Sequence, residues 1–168
     1  MNYLFKKLSD NNYLFTMNLR SATNSDRQAV VELIFNVLKE YGLKSDPSTT
    51  DRDILDIEKN YINKNGSFDL LLDNNNKIIA TVGLYNIDNE TCELRKMYML
   101  KSERGKGYGK QLLEYALDKA RELGYKKIIL ETASVLKEAV GLYEKYGFTR
   151  YDPVHLSGRC DQGYFLNI

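Results

Sequence analysis

The sequence predicts one compact α/β domain, of the mixed α+β kind, whose sheet contains a parallel step. Three observations predict it. Hairpin-forming strand patterns dominate the first half of the chain. The second half alternates strand, helix, strand, helix, strand. Between them a glycine-rich turn leads from a strand into the clearest helical pattern in the sequence. A strand that returns through a crossover helix lies parallel to the one it left, so the second half imposes a parallel pair on an otherwise antiparallel sheet. At 168 residues and 43% hydrophobic content the chain suits a single core.

The elements follow in order. Residues 1–16 stand outside the regular pattern and read as an N-terminal extension to a single domain over 17–168. Asn18 to Ala22 reads as a short strand. Ser25 with Gln28 three residues on fits a capping box, and the helix after it places Val30, Ile34, Val37, Leu38 and Tyr41 on one face until Gly42 ends it. Asp51 to Asn63 reads as a second, polar-rich helix. Phe68–Leu72 and Ile78–Tyr85 flank the turn Asp73-Asn74-Asn75-Asn76 and predict a hairpin. Cys92–Leu100 is a further strand. Tyr108–Leu123 carries Leu112, Leu113, Ala116, Leu117, Ala120 and Leu123 on one stripe, with Gly124 at its end. Ile128–Leu130 is short and wholly apolar, which predicts burial on both faces. Leu136–Tyr146 is a helix closed by Gly147, and Phe148–Tyr151 and Gly163–Ile168 are the last strands.

Composition removes several classes of function. Lys and Arg number 24 against 23 Asp and Glu, a formal charge of +1, so neither nucleic acid nor an anionic membrane has an electrostatic attractor. No apolar run reaches the ~18 residues of a membrane span. The first fifteen residues lack the apolar core of a secretory signal, and the expected location is the cytoplasm. There Cys92 and Cys160 read as two reduced thiols. His155 is the only histidine, which argues against a His-based metal site and against a Ser-His-Asp machine; it reads as structural.

The most informative segment is Arg104-Gly105-Lys106-Gly107-Tyr108-Gly109-Lys110. Glycines let backbone approach an anion closely. A helix start adds unpaired N–H donors and the positive end of the helix dipole. Together with Arg104, Lys106 and Lys110 this makes a cradle for a pyrophosphate. A dinucleotide-binding turn is an alternative, with Glu131 as its acidic partner. However, its glycines run G-x-G-x-x-G, and here Gly105, Gly107 and Gly109 set the third one position early. A P-loop fails too, because no Ser or Thr follows Lys110. Alone, the motif also fits a surface turn with solvated lysines.

Its neighbours decide the matter. Arg104-x-x-Gly107-x-Gly109 resembles the (Q/R)-x-x-G-x-(G/A) signature of GNAT acetyltransferases. Met97-Tyr98-Met99 lies where that family has the strand that holds pantetheine through its backbone. Leu142-Tyr143-Glu144-Lys145-Tyr146-Gly147-Phe148 looks like the family's L-Y-x-x-x-G-F helix end. The resemblance covers residues 17 to about 168. It implies a splayed, mixed sheet of six or seven strands flanked by about four helices. It also implies acetyl-CoA as co-substrate without a metal, with its pyrophosphate on residues 104–110.

On this resemblance Tyr143 is the acid that protonates the departing thiolate, and a backbone amide at Met97 or Tyr98 polarises the thioester carbonyl. Glu93 and Glu131 are alternative bases, with Glu93 preferred. Leu136 stands where many relatives carry an Asn that contacts the cofactor. The acceptor is a primary amine on a small molecule, an amino acid or a peptide, lined by Ser25–Asn63 and His155–Tyr164. The acidic run Asp51, Asp53, Asp56 and Glu58 suits a polyamine but reads more simply as a solvated helix face. Arg95 and Arg159 suit an acceptor carboxylate but read more simply as ion-pair partners. A homodimer is compatible with the family. The competing reading from another class is a catalytically silent acyl-CoA-sensing module with the same fold.

Overall fold

The computed structural model describes the backbone of residues 2–8 and 14–168, and side chains from Met17 onward. Its strands are β1 (Asn2–Leu8), β2 (Leu14–Ser21), β3 (Ser67–Leu72), β4 (Ile78–Asn86), β5 (Thr91–Met99), β6 (Lys127–Thr132), β7 (Thr149–Tyr151) and β8 (Gln162–Asn167). They form one sheet in the order β1-β2-β3-β4-β5-β6-β8-β7. Every neighbouring pair is antiparallel except β5 and β6, which supply the expected parallel step. β2 to β8 make the mixed sheet of seven strands, and Asn2–Leu8 adds an edge strand by pairing with β2. That strand falls within the expected extension 1–16, of which residues 1 and 9–13 lie outside the described residues.

The helices are α1 (Arg27–Glu40), α2 (Ile57–Asn60), α3 (Tyr108–Glu122) and α4 (Lys137–Lys145). None among the described residues is long and apolar enough to cross a membrane. The entry to α1 differs from expectation. The capping box is Thr23 with Asp26, not Ser25 with Gln28. The Thr23 N–H donates to Asp26 Oδ2 at 2.9 Å, and Arg20 on β2 grips the same carboxylate at 2.6 and 2.8 Å. An ion pair to the sheet therefore selects which polar residue caps the helix. α1 buries Val30, Leu33, Ile34, Val37 and Leu38. Tyr41, expected on that face, sits half-buried at the C-cap, and Gly42 follows at φ +68°.

The helix expected over 51–63 is broken into three pieces: a 3-10 turn at Arg52–Leu55, α2, and a 3-10 turn at Ile62–Lys64. Asp56 is extended at the break (φ −145°) and its carboxylate accepts the Lys59 N–H at 3.1 Å. The expected solvated acidic face is overturned as well. Asp51 and Asp53 are buried, because each turns inward onto cations from distant parts of the chain. β6 is corrected too. Ile128 and Leu130 are buried but the alternating Lys127, Ile129 and Glu131 are only half-buried, since that face of the strand carries Glu131 into a cleft.

Two apolar cores lie on opposite faces of the sheet, which the alternation of β3 makes plain. Leu71 belongs to a core with Leu112, Leu113, Ala116, Leu117 and Ala120 of α3. Phe68, Leu70 and Leu72 belong to the other, with Val30, Ile34, Val37 and Leu38 of α1. Each fully buried Leu or Ile contributes roughly 1.5–3 kcal/mol, so α1 and α3 clamp the sheet between them.

Candidate active site

The site begins with a defect in β5. Cys92 and Leu94 are buried, and alternation then calls for an apolar residue at 96. The residue there is Lys96, and the strand bulges. Gly83 pairs with Arg95 and Thr81 with Tyr98, so Lys96 and Met97 together oppose the single residue Val82. Lys96 takes a left-handed φ of +53°, and its carbonyl accepts the Thr81 hydroxyl at 2.6 Å. Beyond the bulge the Leu100 N–H donates to Ile79 O at 3.0 Å. By antiparallel alternation Tyr98 then faces β4, while the Met97 and Met99 amides face the other edge. That edge has no partner strand, because β5 and β6 pair only over Thr91–Glu93 and Lys127–Ile129. The sheet splays from there.

The glycine-rich turn continues from β5. Arg104 donates to Met99 O from Nε (3.2 Å) and Nη2 (3.0 Å), to the Tyr41 hydroxyl at 3.2 Å, and pairs with Glu40 at 2.7 Å. The guanidinium thus satisfies the carbonyl orphaned by the splay and fastens the turn to α1. Gly105 and Gly107 have φ of +76° and +85°, and Gly107 is the N-cap of α3. No side chain caps that helix. The first intrahelical bond runs from the Gln111 N–H to Gly107 O at 3.3 Å, so the amides before it point out of the helix end. A Cβ at Gly105 would meet nothing within 4 Å, and one at Gly109 would touch Leu142 of α4 at 3.9 Å. Lys106 pairs with Glu103 at 3.0 Å, and Lys110 lies 4.0 Å from Glu114. Outward amides, the helix dipole and an unobstructed approach suit a diphosphate.

Met97, Tyr98, Glu93, Glu131 and Tyr143 line one cleft of about 910 Å³. Met99 and the turn 104–110 lie outside it, joined to it through β5. Glu93 is 8% exposed; its Oε2 accepts from Arg95 Nη2 at 2.5 Å. Burial raises its pKa above the usual carboxylate range, with Arg95 opposing. Glu131 sits two residues past Ile129, the partner of Glu93, and accepts the Ser157 N–H at 2.9 Å. Tyr143 is 6% exposed, and its ring packs on Phe148 with centroids 5.6 Å apart. Its hydroxyl bonds to none of the described residues, and burial raises its pKa, with Tyr98 and Cys160 adding to the effect. Burial likewise pushes Tyr98 up to about 12. Leu136 lines the same cleft.

Arg95 and Arg159 are ion-paired, as the simpler expectation held, to Glu93 and Asp51 respectively. His155 is exposed and Cys92 and Cys160 are unbridged. Among the described residues, no group of three or more His, Cys, Asp or Glu is placed to hold a metal ion. The sequence reading missed Lys96, which lines the cleft, and took Asp51 for part of a solvated face. The signal for Lys96 was present: a charged residue where strand alternation required an apolar one.

Comparison with known proteins agrees with this geometry. Residues 31–148 match the model of the acetyltransferase (GNAT) family. The chain is 36% identical over 138 residues to the uncharacterized N-acetyltransferase YjgM of Escherichia coli, covering 80% of this chain and 83% of that protein. A GNAT-family acetyltransferase of Staphylococcus aureus superposes with a TM-score of 0.83 at 27% identity, over 90% of this chain and 98% of that one. A GNAT acetyltransferase of Elizabethkingia anophelis, solved with acetyl-CoA bound, shares the fold at a TM-score of 0.66 and 23% identity, over 95% and 100% of the two chains. A bulged and splayed strand, a glycine turn opening a helix, and a match over more than half the chain converge, and the protein belongs to the GNAT acetyltransferase family.

Proposed function

We propose that the protein transfers the acetyl group of acetyl-CoA to a primary amine by direct attack in a ternary complex. The observation that supports this best is the meeting of Tyr143, Glu93, Glu131 and the bulged segment of β5 in one cleft. Acetyl-CoA supplies the activated acyl carbon, and the α3 start and the 104–110 turn are the residues that fit its diphosphate.

The protein's own groups then divide the work. An alkyl amine with pKa ~10 arrives protonated. Glu93, whose buried carboxylate is more basic than usual, takes that proton directly or through water, with Glu131 as the second base beside it. The Met97 amide donates to the carbonyl oxygen as negative charge builds there. The new N–C bond forms as the C–S bond breaks. Tyr143 faces the departing sulfur. Because burial raises its pKa above that of a thiol, the hydroxyl does not give up its proton as the sequence predicts of an acid; it stays neutral and stabilises the thiolate by donating a hydrogen bond. Glu93 passes the ammonium proton to solvent before attack; the second proton, lost from nitrogen as the amide forms, goes to Glu93 or Glu131, and the thiolate takes one proton from solvent.

The test is thiol release from acetyl-CoA by the purified protein, offered spermidine, phenethylamine, L-phenylalanine and a free-N-terminus hexapeptide. Turnover above the amine-free rate with at least one supports the proposal. Tight acetyl-CoA binding with no turnover on any of them would favour the silent sensing module instead.

A further inference from the structure

Six charges form one continuous chain along the cleft wall, with Asp51 behind it, alternating in sign: Arg159, Asp51, Lys96, Asp53, Arg95, Glu93. Arg159 meets Asp51 with two bonds of 2.7 Å. Asp51 Oδ1 meets Lys96 Nζ at 2.7 Å, and Lys96 Nζ lies 3.2 Å from Asp53 Oδ1. Asp53 Oδ2 lies 3.6 Å from Arg95, which bonds Glu93 at 2.5 Å. Asp51 is 0% exposed, and its Oδ2 also accepts the Asp46 N–H at 2.8 Å. The Tyr61 hydroxyl donates to Asp53 at 2.5 Å, and Lys96 Nζ donates to Thr50 O at 2.8 Å. Burial opposes ionisation of Asp51, yet Arg159 and Lys96 hold it below the usual carboxylate range.

Charges buried this deeply are costly to keep, and apolar packing would stabilise the fold as well or better. The chain's position suggests what it does instead. Lys96 is the bulge residue, at φ +53°. A left-handed φ costs a non-glycine residue about 1–2 kcal/mol, and lysine has no short polar group to bond its own backbone in compensation. The pull on its ammonium from Asp51, Asp53 and Thr50 holds it there. Release it, and Lys96 returns to ordinary strand geometry, the bulge flattens, and the Met97 amide rejoins the ladder.

We propose that Asp51 is a positioning residue for acyl transfer: by anchoring Lys96 in the β5 bulge it aims the Met97 amide at the thioester carbonyl. This rests on the acyl-transfer reading above. Asp51 touches no reacting atom; it acts through Lys96, and Arg159 fixes its carboxylate with two bonds.

The readout is the carbonyl stretch of carbonyl-¹³C acetyl-CoA bound to the protein, measured by difference infrared spectroscopy. In the wild type the polarised carbonyl absorbs at lower frequency than in free acetyl-CoA. In Asp51→Asn this shift falls by roughly half or more, while acetyl-CoA affinity stays within about threefold because α3 still holds the diphosphate. Asp51→Asn leaves one excess buried cation and lowers Tm. The double variant Asp51→Asn/Lys96→Met removes that excess, so Tm recovers, yet the shift stays lost because the anchor is still missing. It also serves where the single variant fails to fold. A shift that survives in Asp51→Asn, or returns with Tm in the double variant, overturns the role of Asp51 and reduces the cluster to a folding element. A wild-type protein that binds acetyl-CoA with no shift at all would instead strike at the acyl-transfer reading itself.

Discussion

Tyr143 shows how one atom separates stability from chemistry. Its ring is fixed by Phe148 and by burial, whereas its hydroxyl is bonded to none of the described residues. Tyr143 lines the cleft, and its hydroxyl is not among the buried polar atoms left without a partner, so removing it takes no hydrogen bond to the described residues from the fold. Tyr143→Phe should therefore leave Tm nearly unchanged. If the hydroxyl serves the thiolate, kcat falls at least about tenfold, equivalent to about 1.4 kcal/mol of barrier, with acetyl-CoA affinity unchanged by calorimetry. Unaltered kcat would remove Tyr143 from the reaction. Glu93 makes a different prediction, in pH. Burial raises its pKa, and a base works only when ionised. The rate should rise with pH through a limb lying above the ordinary glutamate value of ~4.3. Glu93→Gln should abolish that limb, and a limb that survives would transfer the role to Glu131.

At the scale of elements, the turn before α3 can be tested against the same helix's other end. Gly107 and Gly124 both have left-handed φ, +85° and +90°, at the start and just past the end of α3. Ala at either site costs about 1 kcal/mol by the same backbone strain. Gly107→Glu adds a carboxylate where a diphosphate would sit, so it should abolish acetyl-CoA binding in calorimetry. Gly124→Ala should lower Tm comparably and leave binding intact. Normal affinity in Gly107→Glu would contradict the cradle. This turn was legible in the sequence because its information is local: glycine spacing, a strand before and an apolar stripe after. The stretch around Asp51 was not. Its carboxylate answers to Lys96 and Arg159, respectively 45 and 108 residues away, and no window on the sequence joins them. Read locally, Asp51, Asp53, Asp56 and Glu58 look like one wet helix face. The long-range ion pairs take the first two inside and break the helix. The cap of α1 shifted for the same reason, since Arg20 on β2 chooses Asp26.

At the scale of the whole molecule, one apolar core runs from β2–β5 into α3, β6, α4 and β8, but the sheet itself is joined there over only a short ladder. β5 and β6 share three residue pairs, and Arg159 of the late loop pairs with Asp51 of the early one. A ligand that grips the α3 turn and runs along the open edge of β5 should stiffen exactly the strand that β6 abandons. Binding to the native state alone stabilises by about 2.7 kcal/mol at a hundredfold excess over Kd, which for a domain of this size raises Tm by about 5–11 °C. Tm alone does not say where the ligand lies; amide exchange does. Acetyl-CoA should protect both the amides of 105–110 and those of Met97 and Met99. Adenosine 3′,5′-bisphosphate, which has no pantetheine arm, should leave Met97 and Met99 exchanging as in the free protein. Protection of the turn by the whole coenzyme without protection of β5 would put the arm outside the opening. The acyl carbon would then lie out of reach of Glu93 and Tyr143, and the cleft would have to serve some other chemistry.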